Sequence, residues 1–114
     1  RYETNMCTTL EAGLDLLATL ESGHVRLLAD LFHMNIEEVD AAAALRAAGS
    51  AIGHVHFVDS TRRPVGGGHL DIRPMIASLR EIGYQGFLSA EALPWPDSRR
   101  AAEQTMNAFR YFAG

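Results

Sequence analysis

The stretch from Ala51 to Asp71, AIGHVHFVDSTRRPVGGGHLD, decides the fold that the sequence predicts. It begins with a short apolar run of strand length, in which His54 and His56 lie two residues apart and therefore share one face of the strand. A polar loop with three glycines follows, and a helix is predicted to begin after Asp71, which can act as its N-cap. Side chains that can bind ligands therefore lie where a strand is followed by a helix, and α/β folds place their binding sites at such junctions.

Strand and helix patterns alternate along the whole chain. Strands are predicted at four places: a strand end at Arg1–Glu3, and strands within Val25–Phe32, Ile52–Val58 and Gly86–Leu93. Four helices are predicted: from the capping box at Thr8–Glu11 to Gly23, from a cap at Asn35–Glu38 to Gly49, from Asp71 to Ile82, and from Asp97 or Ser98 onward. One face of the last helix is expected to hold Ala102, Met106, Phe109 and Ala113. This strict alternation predicts an α/β fold with a parallel sheet and right-handed crossovers.

The composition argues against several classes of function. The net charge of −4 opposes binding to nucleic acid, which needs a basic surface, and no stretch reaches the roughly 18 apolar residues of a membrane span. The sequence has no signal peptide pattern, so a cytoplasmic location is expected. The single cysteine, Cys7, excludes an internal disulfide and a thiolate metal cluster, and we expect it to be a small buried hydrophobe.

Each predicted strand ends at a residue that can bind a metal ion: Glu3, Asp30, His56 and Glu91. These residues are 27, 26 and 35 positions apart, about one strand–helix unit each. Strands of a parallel sheet are buried on both faces, so a carboxylate or imidazole at every strand end is costly unless these groups are paired. A shared cation is the simplest purpose. Three carboxylates and one imidazole suit a divalent ion such as Mn²⁺, Mg²⁺ or Co²⁺ better than an ion that prefers thiolates.

The features of the central stretch also have ordinary structural explanations. A strand histidine can be a core residue, Arg62–Arg63 can be a solvated pair, and Gly66–Gly68 can be a flexible turn, because no Lys-Ser/Thr follows to make a P-loop. Asp59 is expected either to hold the loop that carries the arginines or to orient His56. Trp95 is expected either to cover a substrate or to pack between protomers.

At these residues the sequence resembles the xylose isomerase-like TIM barrels, a family of sugar (phosphate) isomerases and epimerases. Within that family it is most similar to the ketose 3-epimerases of the tagatose/psicose type and to hydroxypyruvate isomerase. Four segments carry the resemblance: Asp30–Glu38, His54–His56 with Arg62, Gly66–Gly68 with Asp71, and Ser89–Glu91. The resemblance implies that the chain is the C-terminal half of a TIM barrel, strands five to eight with their helices, and that residues 1–114 are one incomplete domain.

The resemblance also implies a metal site and a substrate site. Asp30, His56 and Glu91 would bind a divalent ion, with Mn²⁺ favoured over Mg²⁺, Co²⁺ or Zn²⁺, and Glu91 would also be catalytic. The substrate oxygens would be bound by Glu3, His33 and Arg62. The family's fourth ligand is a glutamate six residues before the position of Glu3, which falls before Arg1.

The implied function is that of a divalent-metal-dependent sugar (phosphate) isomerase or epimerase, which moves a proton through a metal-bound enediolate. The chain is expected to be a fragment that is inactive alone, with the barrel closed by a missing N-terminal half or by a second copy, and a homo-oligomer is expected. Alternatives on the same barrel are an inosose-type dehydratase and an endonuclease IV-like metal hydrolase. The acidic composition disfavours the hydrolase, which would need a basic surface to bind DNA. A further alternative is a non-catalytic half-barrel that serves binding or assembly.

Overall fold

The protein is seen in a computed structural model that describes residues 3–114. The described strands are β1 (Leu27–Asp30), β2 (Ile52–His56) and β3 (Leu88–Ser89). The α-helices are α1 (Leu10–Ala18), α2 (Leu31–Glu37), α3 (Ala41–Ala48), α4 (Arg73–Glu81) and α5 (Ser98–Phe112), and a short 3₁₀ turn at Gly49–Ala51 precedes β2. None of the helices within residues 3–114 combines the length and the apolar character needed to cross a bilayer.

The three strands form one parallel sheet in the order β1-β2-β3. Asp30 is paired with His56, and His56 with Ser89, so the carboxyl ends of the strands meet at one edge of the sheet. The predicted parallel α/β arrangement is therefore confirmed. Most of the first predicted strand end, Arg1–Glu3, lies outside the described residues, and Glu3 itself is in a bend.

The two faces of the sheet differ in burial. Ala29, Val55 and Phe57 point toward the helices, are at most 1% exposed, and belong to the main hydrophobic core. On the opposite face Leu28, which is paired with His54, is 51% exposed. The polar strand-end side chains therefore lie on or beside a face that the described residues leave open.

The boundary between α2 and α3 differs from the prediction. A single helix was expected from a cap at Asn35–Glu38, but Asn35 lies inside α2, and α3 is capped by Asp40, whose carboxylate accepts from the N–H of Ala43 at 2.9 Å. The chain is extended at Glu38 between the two helices, and Val39, expected to continue the helix, is fully exposed. The prediction was wrong because Asp30, at the end of β1, already caps a helix that begins at once.

Other helix ends are closer to prediction. Thr9 caps α1 and Asp97 caps α5 through hydrogen bonds from the N–H groups of Ala12 and Arg100. The N-cap of α4 is Ile72 rather than Asp71, although the Asp71 carboxylate still accepts from the N–H of Arg73 at 3.2 Å. Helix α1 ends at Ala18, before the predicted Gly23.

The last third of the chain shows two further differences. Strand β3 has only two residues, so Glu91 lies beyond the strand in which it was expected. Ala102 and Met106 are exposed, because α5 packs instead through residues displaced by one position, namely Ala101, Ala108 and Phe112. The other two predicted residues, Phe109 and Ala113, are half-buried.

Near the start of the chain, Cys7 is exposed, contrary to the expectation that it is buried.

Candidate functional site

Three side chains converge at the carboxyl edge of the sheet. Asp30 ends β1, His56 ends β2, and Glu91 follows β3 by two residues. His56 Nδ1 lies 2.9 Å from Asp30 Oδ2 and 3.9 Å from Glu91 Oε2. One ligand-type atom from each residue lies within 4.8 Å of the others. The structure thus brings together the three residues for which the resemblance implied metal binding.

Asp30 divides its carboxylate between two tasks. Because β1 runs into α2 without a loop, Oδ1 accepts from the N–H groups of Phe32 at 2.9 Å and His33 at 3.1 Å. This is the N-cap interaction that stabilises the first turn of a helix. Oδ2 is then directed to His56. The side chain is only 8% exposed, so the cap holds a fixed carboxylate oxygen at the edge of the site.

The donor set fits a divalent cation. Two carboxylates and one imidazole are ligands for ions such as Mn²⁺, and no thiolate is among them. His56 Nδ1 lies 2.9 Å from Asp30 Oδ2 and 3.9 Å from Glu91 Oε2, so the three side chains are close enough that they could hold one ion together. A bound ion would take the place of the proton that these two atoms otherwise share.

Arg62 connects this cluster to the predicted substrate residues. Its guanidinium donates to Glu3 Oε1 at 2.6 Å and to Glu91 Oε2 at 2.8 Å, and His33 Nε2 lies 3.8 Å from Glu3 Oε2. The hydrogen bonds to Glu3 and Glu91 raise the pKa of Arg62 above its ordinary value, and the Arg62 hydrogen bond lowers the pKa of the Glu3 carboxyl. Like any guanidinium, Arg62 is a permanent cation. Its side chain is 16% exposed, and the guanidinium carbon lies 5.4 Å from the centre of the Phe32 ring.

The loop after β2 is organised around Asp59. This residue is 1% exposed. Its Oδ1 accepts from the N–H of Ser60 at 2.7 Å and of Leu70 at 3.0 Å, and its Oδ2 accepts from the N–H of Gly66 at 2.8 Å. Burial favours the neutral acid, but the backbone N–H groups outweigh it and hold the pKa of Asp59 below its usual range. Of the two predicted roles, Asp59 thus has the first: it holds the loop.

Two more residues near the site have defined contacts. His54 Nε2 lies 2.7 Å from the Oγ of Ser89, and its ring meets that of His56 edge to face at 5.5 Å. The sequence reasoning did not assign Ser89 a role of its own, although its position two residues before Glu91 was a usable signal, because alternate strand residues share a face. Trp95 lies under the guanidinium of Arg63 at 4.5 Å.

Comparisons with known proteins identify the family of the chain. Residues 1–111 match the family described as xylose isomerase-like TIM barrel, and the chain therefore belongs to that family. It is 41% identical over 86 residues to D-psicose 3-epimerase of Enterocloster bolteae, covering 75% of this chain and 29% of the relative. It is 34% identical over 110 residues to 3-dehydro-D-guloside 4-epimerase of Escherichia coli, covering 96% of this chain and 40% of the relative.

The chain also matches a solved structure of an epimerase. The crystal structure of D-allulose 3-epimerase from Methylomonas sp. in complex with D-allulose superposes with a TM-score of 0.90 at 28% identity. The match covers 96% of this chain and 44% of that one. The predicted family and the predicted fold, part of a TIM barrel, are confirmed. The chain spans less than half the length of these relatives, which agrees with the predicted half-barrel.

Proposed function

We propose that this chain, as part of a complete barrel, catalyses the epimerisation of a ketose at the carbon next to its carbonyl group. The observation that carries the proposal is the convergence of Asp30, His56 and Glu91 within 4.8 Å, with Arg62 bonded to Glu91 at 2.8 Å. The names of the two relatives support the reaction class. A psicose 3-epimerase and a 3-dehydro-guloside 4-epimerase both invert a carbon that neighbours a ketone.

A complete barrel is part of this proposal. Parallel sheets are normally covered on both faces, yet Leu28 is half-exposed, and β1 and β3 are the edge strands of the described sheet. Further strands would cover this face and enclose the site. We propose that they come from an N-terminal half or from a second copy of the chain.

Asp30, His56 and Glu91 would hold a divalent ion, for which we favour Mn²⁺ because the donors are oxygen and nitrogen. When bound, such an ion polarises the ketone and makes the neighbouring C–H more acidic. Glu91 is the proposed base that takes this proton, since its exposed carboxylate lies at the open side of the site. Inversion needs a second group on the opposite face of the carbon, for which the resemblance implies the glutamate before Arg1.

Arg62, His33 and Glu3 are proposed to bind the substrate oxygens. Arg62 keeps its charge at every physiological pH because a guanidinium is not deprotonated in proteins, and the two carboxylates raise its pKa further. A permanent cation beside the reacting carbon stabilises the negative charge that develops on oxygen when the proton leaves. Glu3 and His33, which lie 3.8 Å apart, would orient hydroxyl groups.

The substrate is proposed to be a free sugar rather than a sugar phosphate. A phosphate would need backbone N–H groups or an arginine as partners. The glycine run offers no free N–H cradle, because the N–H of Gly66 is bonded to Asp59 and that of Gly67 to the carbonyl of Pro64. Arg62 can still donate to hydroxyl groups, but Glu3 and Glu91 on either side of it balance its charge and would repel a phosphate dianion.

The test is turnover of D-psicose by the complete barrel with Mn²⁺, after chelation, and in the variant Glu91→Gln. We expect chelation to abolish turnover and Glu91→Gln to lower kcat by roughly 10²- to 10⁴-fold, the range for loss of a general base. Glu81→Gln, an exposed glutamate at the end of α4, removes the same charge away from the site and serves as the matched control. Full activity after chelation, or wild-type kcat in Glu91→Gln, would contradict the proposal. If the sugar loses a water molecule and none of its carbons is inverted, the reaction is that of the dehydratase alternative.

A further inference from the structure

We propose that Asp59 is a positioning residue, which holds the loop 60–70 in the conformation that directs Arg62 into the site. The inference rests on the proposed function, because Arg62 is there assigned to bind the substrate. The Asp59 carboxylate accepts hydrogen bonds from the N–H groups of Ser60, Gly66 and Leu70, and not from the guanidinium of Arg62. Its effect on Arg62 would therefore pass through the backbone of the loop.

The hydrogen bonds of Asp59 reach the start, the middle and the end of this loop. Ser60 donates through its N–H and its hydroxyl, at 2.7 Å and 3.2 Å, while Gly66 and Leu70 donate through their N–H groups. A buried carboxylate with this many donors is fully satisfied, and leaving one donor without a partner is costly. One side chain therefore ties together the start, the middle and the end of the segment that carries Arg62.

The backbone of Asp59 also closes the turn in which Arg62 lies. Arg62 N–H donates to the carbonyl of Asp59 at 2.9 Å, and Asp59 N–H donates to the carbonyl of Arg63 at 3.0 Å. Arg62 has a φ of +55°, in the left-handed region that side chains other than glycine adopt only when the surroundings demand it. These backbone bonds do not depend on the side chain at position 59. When that side chain no longer ties Ser60 to Gly66 and Leu70, however, the turn can relax to an ordinary φ, which would move the guanidinium away from Glu3 and Glu91.

Gly68 shows how closely the loop encloses this carboxylate. A Cβ built on Gly68 would collide with Asp59 Oδ1 and with the hydroxyl of Ser60. A methyl group at position 68 would therefore displace the Asp59 carboxylate or the Gly68 backbone. This provides a second way to disturb the anchor that leaves every charge in place.

The experiment is a double-mutant cycle on the complete barrel, with Asp59→Asn, Arg62→Ala and both changes, and kcat/KM for D-psicose with Mn²⁺ as the readout. An amide has one oxygen and two N–H groups, so Asp59→Asn turns a donor toward at least one N–H of the loop. We expect kcat/KM to fall roughly 10- to 100-fold, the scale for a displaced substrate-binding group, and Gly68→Ala to act in the same direction. In the Arg62→Ala background Asp59→Asn should have little further effect.

The matched control is Asp71→Asn, which removes a carboxylate near the same loop that is exposed and bonded to Arg73. It should leave kcat/KM at the wild-type value. Fully multiplicative losses for Asp59→Asn and Arg62→Ala would overturn the positioning role, as would wild-type kcat/KM in a folded Asp59→Asn protein. If Asp59→Asn does not fold, the same cycle run with Gly68→Ala decides in the same way. A wild-type barrel without turnover would instead overturn the proposed function, and the inference with it.

Discussion

The junction after β1 and the junction after β2 each hold a buried aspartate that backbone N–H groups satisfy. In the first, Asp30 leads into α2 without a loop, and only Oδ1 is used by the helix, which leaves Oδ2 for His56. In the second, Asp59 lies at the start of a long loop, and both of its oxygens accept from that loop. Asp30 thus keeps one oxygen for another side chain, whereas both oxygens of Asp59 serve the backbone of its own loop.

The difference also shows two ways of making a site rigid. Helix α2 is regular from its first residue, so capping alone fixes the Asp30 rotamer and the oxygen it presents. The segment between β2 and α4 has no regular structure, so it needs a carboxylate of its own before it can present Arg62. Regular secondary structure and a buried hydrogen-bonded anion thus provide the same pre-organisation.

The largest effect should come from breaking the first junction with Asp30→Asn. Asparagine is as good an N-cap as aspartate, so α2 should persist while the ligand charge is lost. We expect the affinity for Mn²⁺, measured by titration of the complete barrel, to fall by more than the roughly 100-fold that changes beyond the ligands can cost. Asp40→Asn makes the same exchange at the exposed cap of α3 and should leave the affinity unchanged. Equal affinities in both variants would argue against Asp30 as a ligand.

Breaking the second junction with Asp59→Asn should act on stability. At least one buried N–H of the loop loses its acceptor, so we expect the free energy of unfolding to fall by about 1–3 kcal/mol. Urea denaturation measures this loss as a lower midpoint. Asp71→Asn is the control, since its carboxylate is exposed, and its midpoint should match that of the wild type. An unchanged midpoint for Asp59→Asn would mean that water replaces the lost acceptor.

Asp40 offers a third case, a helix N-cap that lies outside the candidate site. Asp40 caps α3 as Asp30 caps α2, but it faces solvent and accepts from one N–H group, that of Ala43. Asp40→Ala should therefore lower the free energy of unfolding by about 1 kcal/mol, the usual value of an N-cap, with no change in Mn²⁺ affinity. Asp15→Ala, an exposed aspartate inside α1, removes the same charge without a cap and should not destabilise the protein. Equal stability of the two variants would show that α3 does not depend on its cap.

The smallest effect on the free energy of unfolding is expected from lowering the pH. The pKa of Asp59 is lower in the folded protein than in the unfolded chain, so the unfolded chain takes up the proton first as the pH falls. The stabilisation by the ionised carboxylate is therefore complete above the unfolded value of about 4 and is lost as the pH falls through the lower folded value. The gap in unfolding free energy between wild type and Asp59→Asn should be constant above that pH and shrink below it. A gap that widens in acid would contradict this assignment.

Several features could be predicted from local sequence patterns and from the direction of the strands. Thr9 and Asp97 are caps because a hydroxyl or carboxylate three residues before an N–H can reach it. Asp30, His56 and Glu91 gather because parallel strands bring their carboxyl ends to one edge. The boundary at Asn35 was predicted wrongly because Asp30, the candidate ligand, also caps a helix that begins directly after β1.

Other features depended on contacts between distant residues. The face that α5 buries could not be chosen from spacing, because Ala101, Ala108 and Phe112 follow the helical period as well as the predicted set does. Glu38 was expected to help cap its own helix, but its carboxylate accepts from the N–H of Leu10 at 2.7 Å, at the start of α1.

The sequence by itself determined the alternation of strand and helix, the parallel sheet and the identity of the residues at its carboxyl edge, because these follow from local periodicity and from chain direction. Only the tertiary structure decided that Asp59 belongs to its loop, that Arg62 bridges Glu3 and Glu91, and that Asp30 keeps one oxygen for His56. Each of these depends on which donors the folded backbone brings within about 3 Å of an oxygen, and such donors lie up to 59 positions away in sequence.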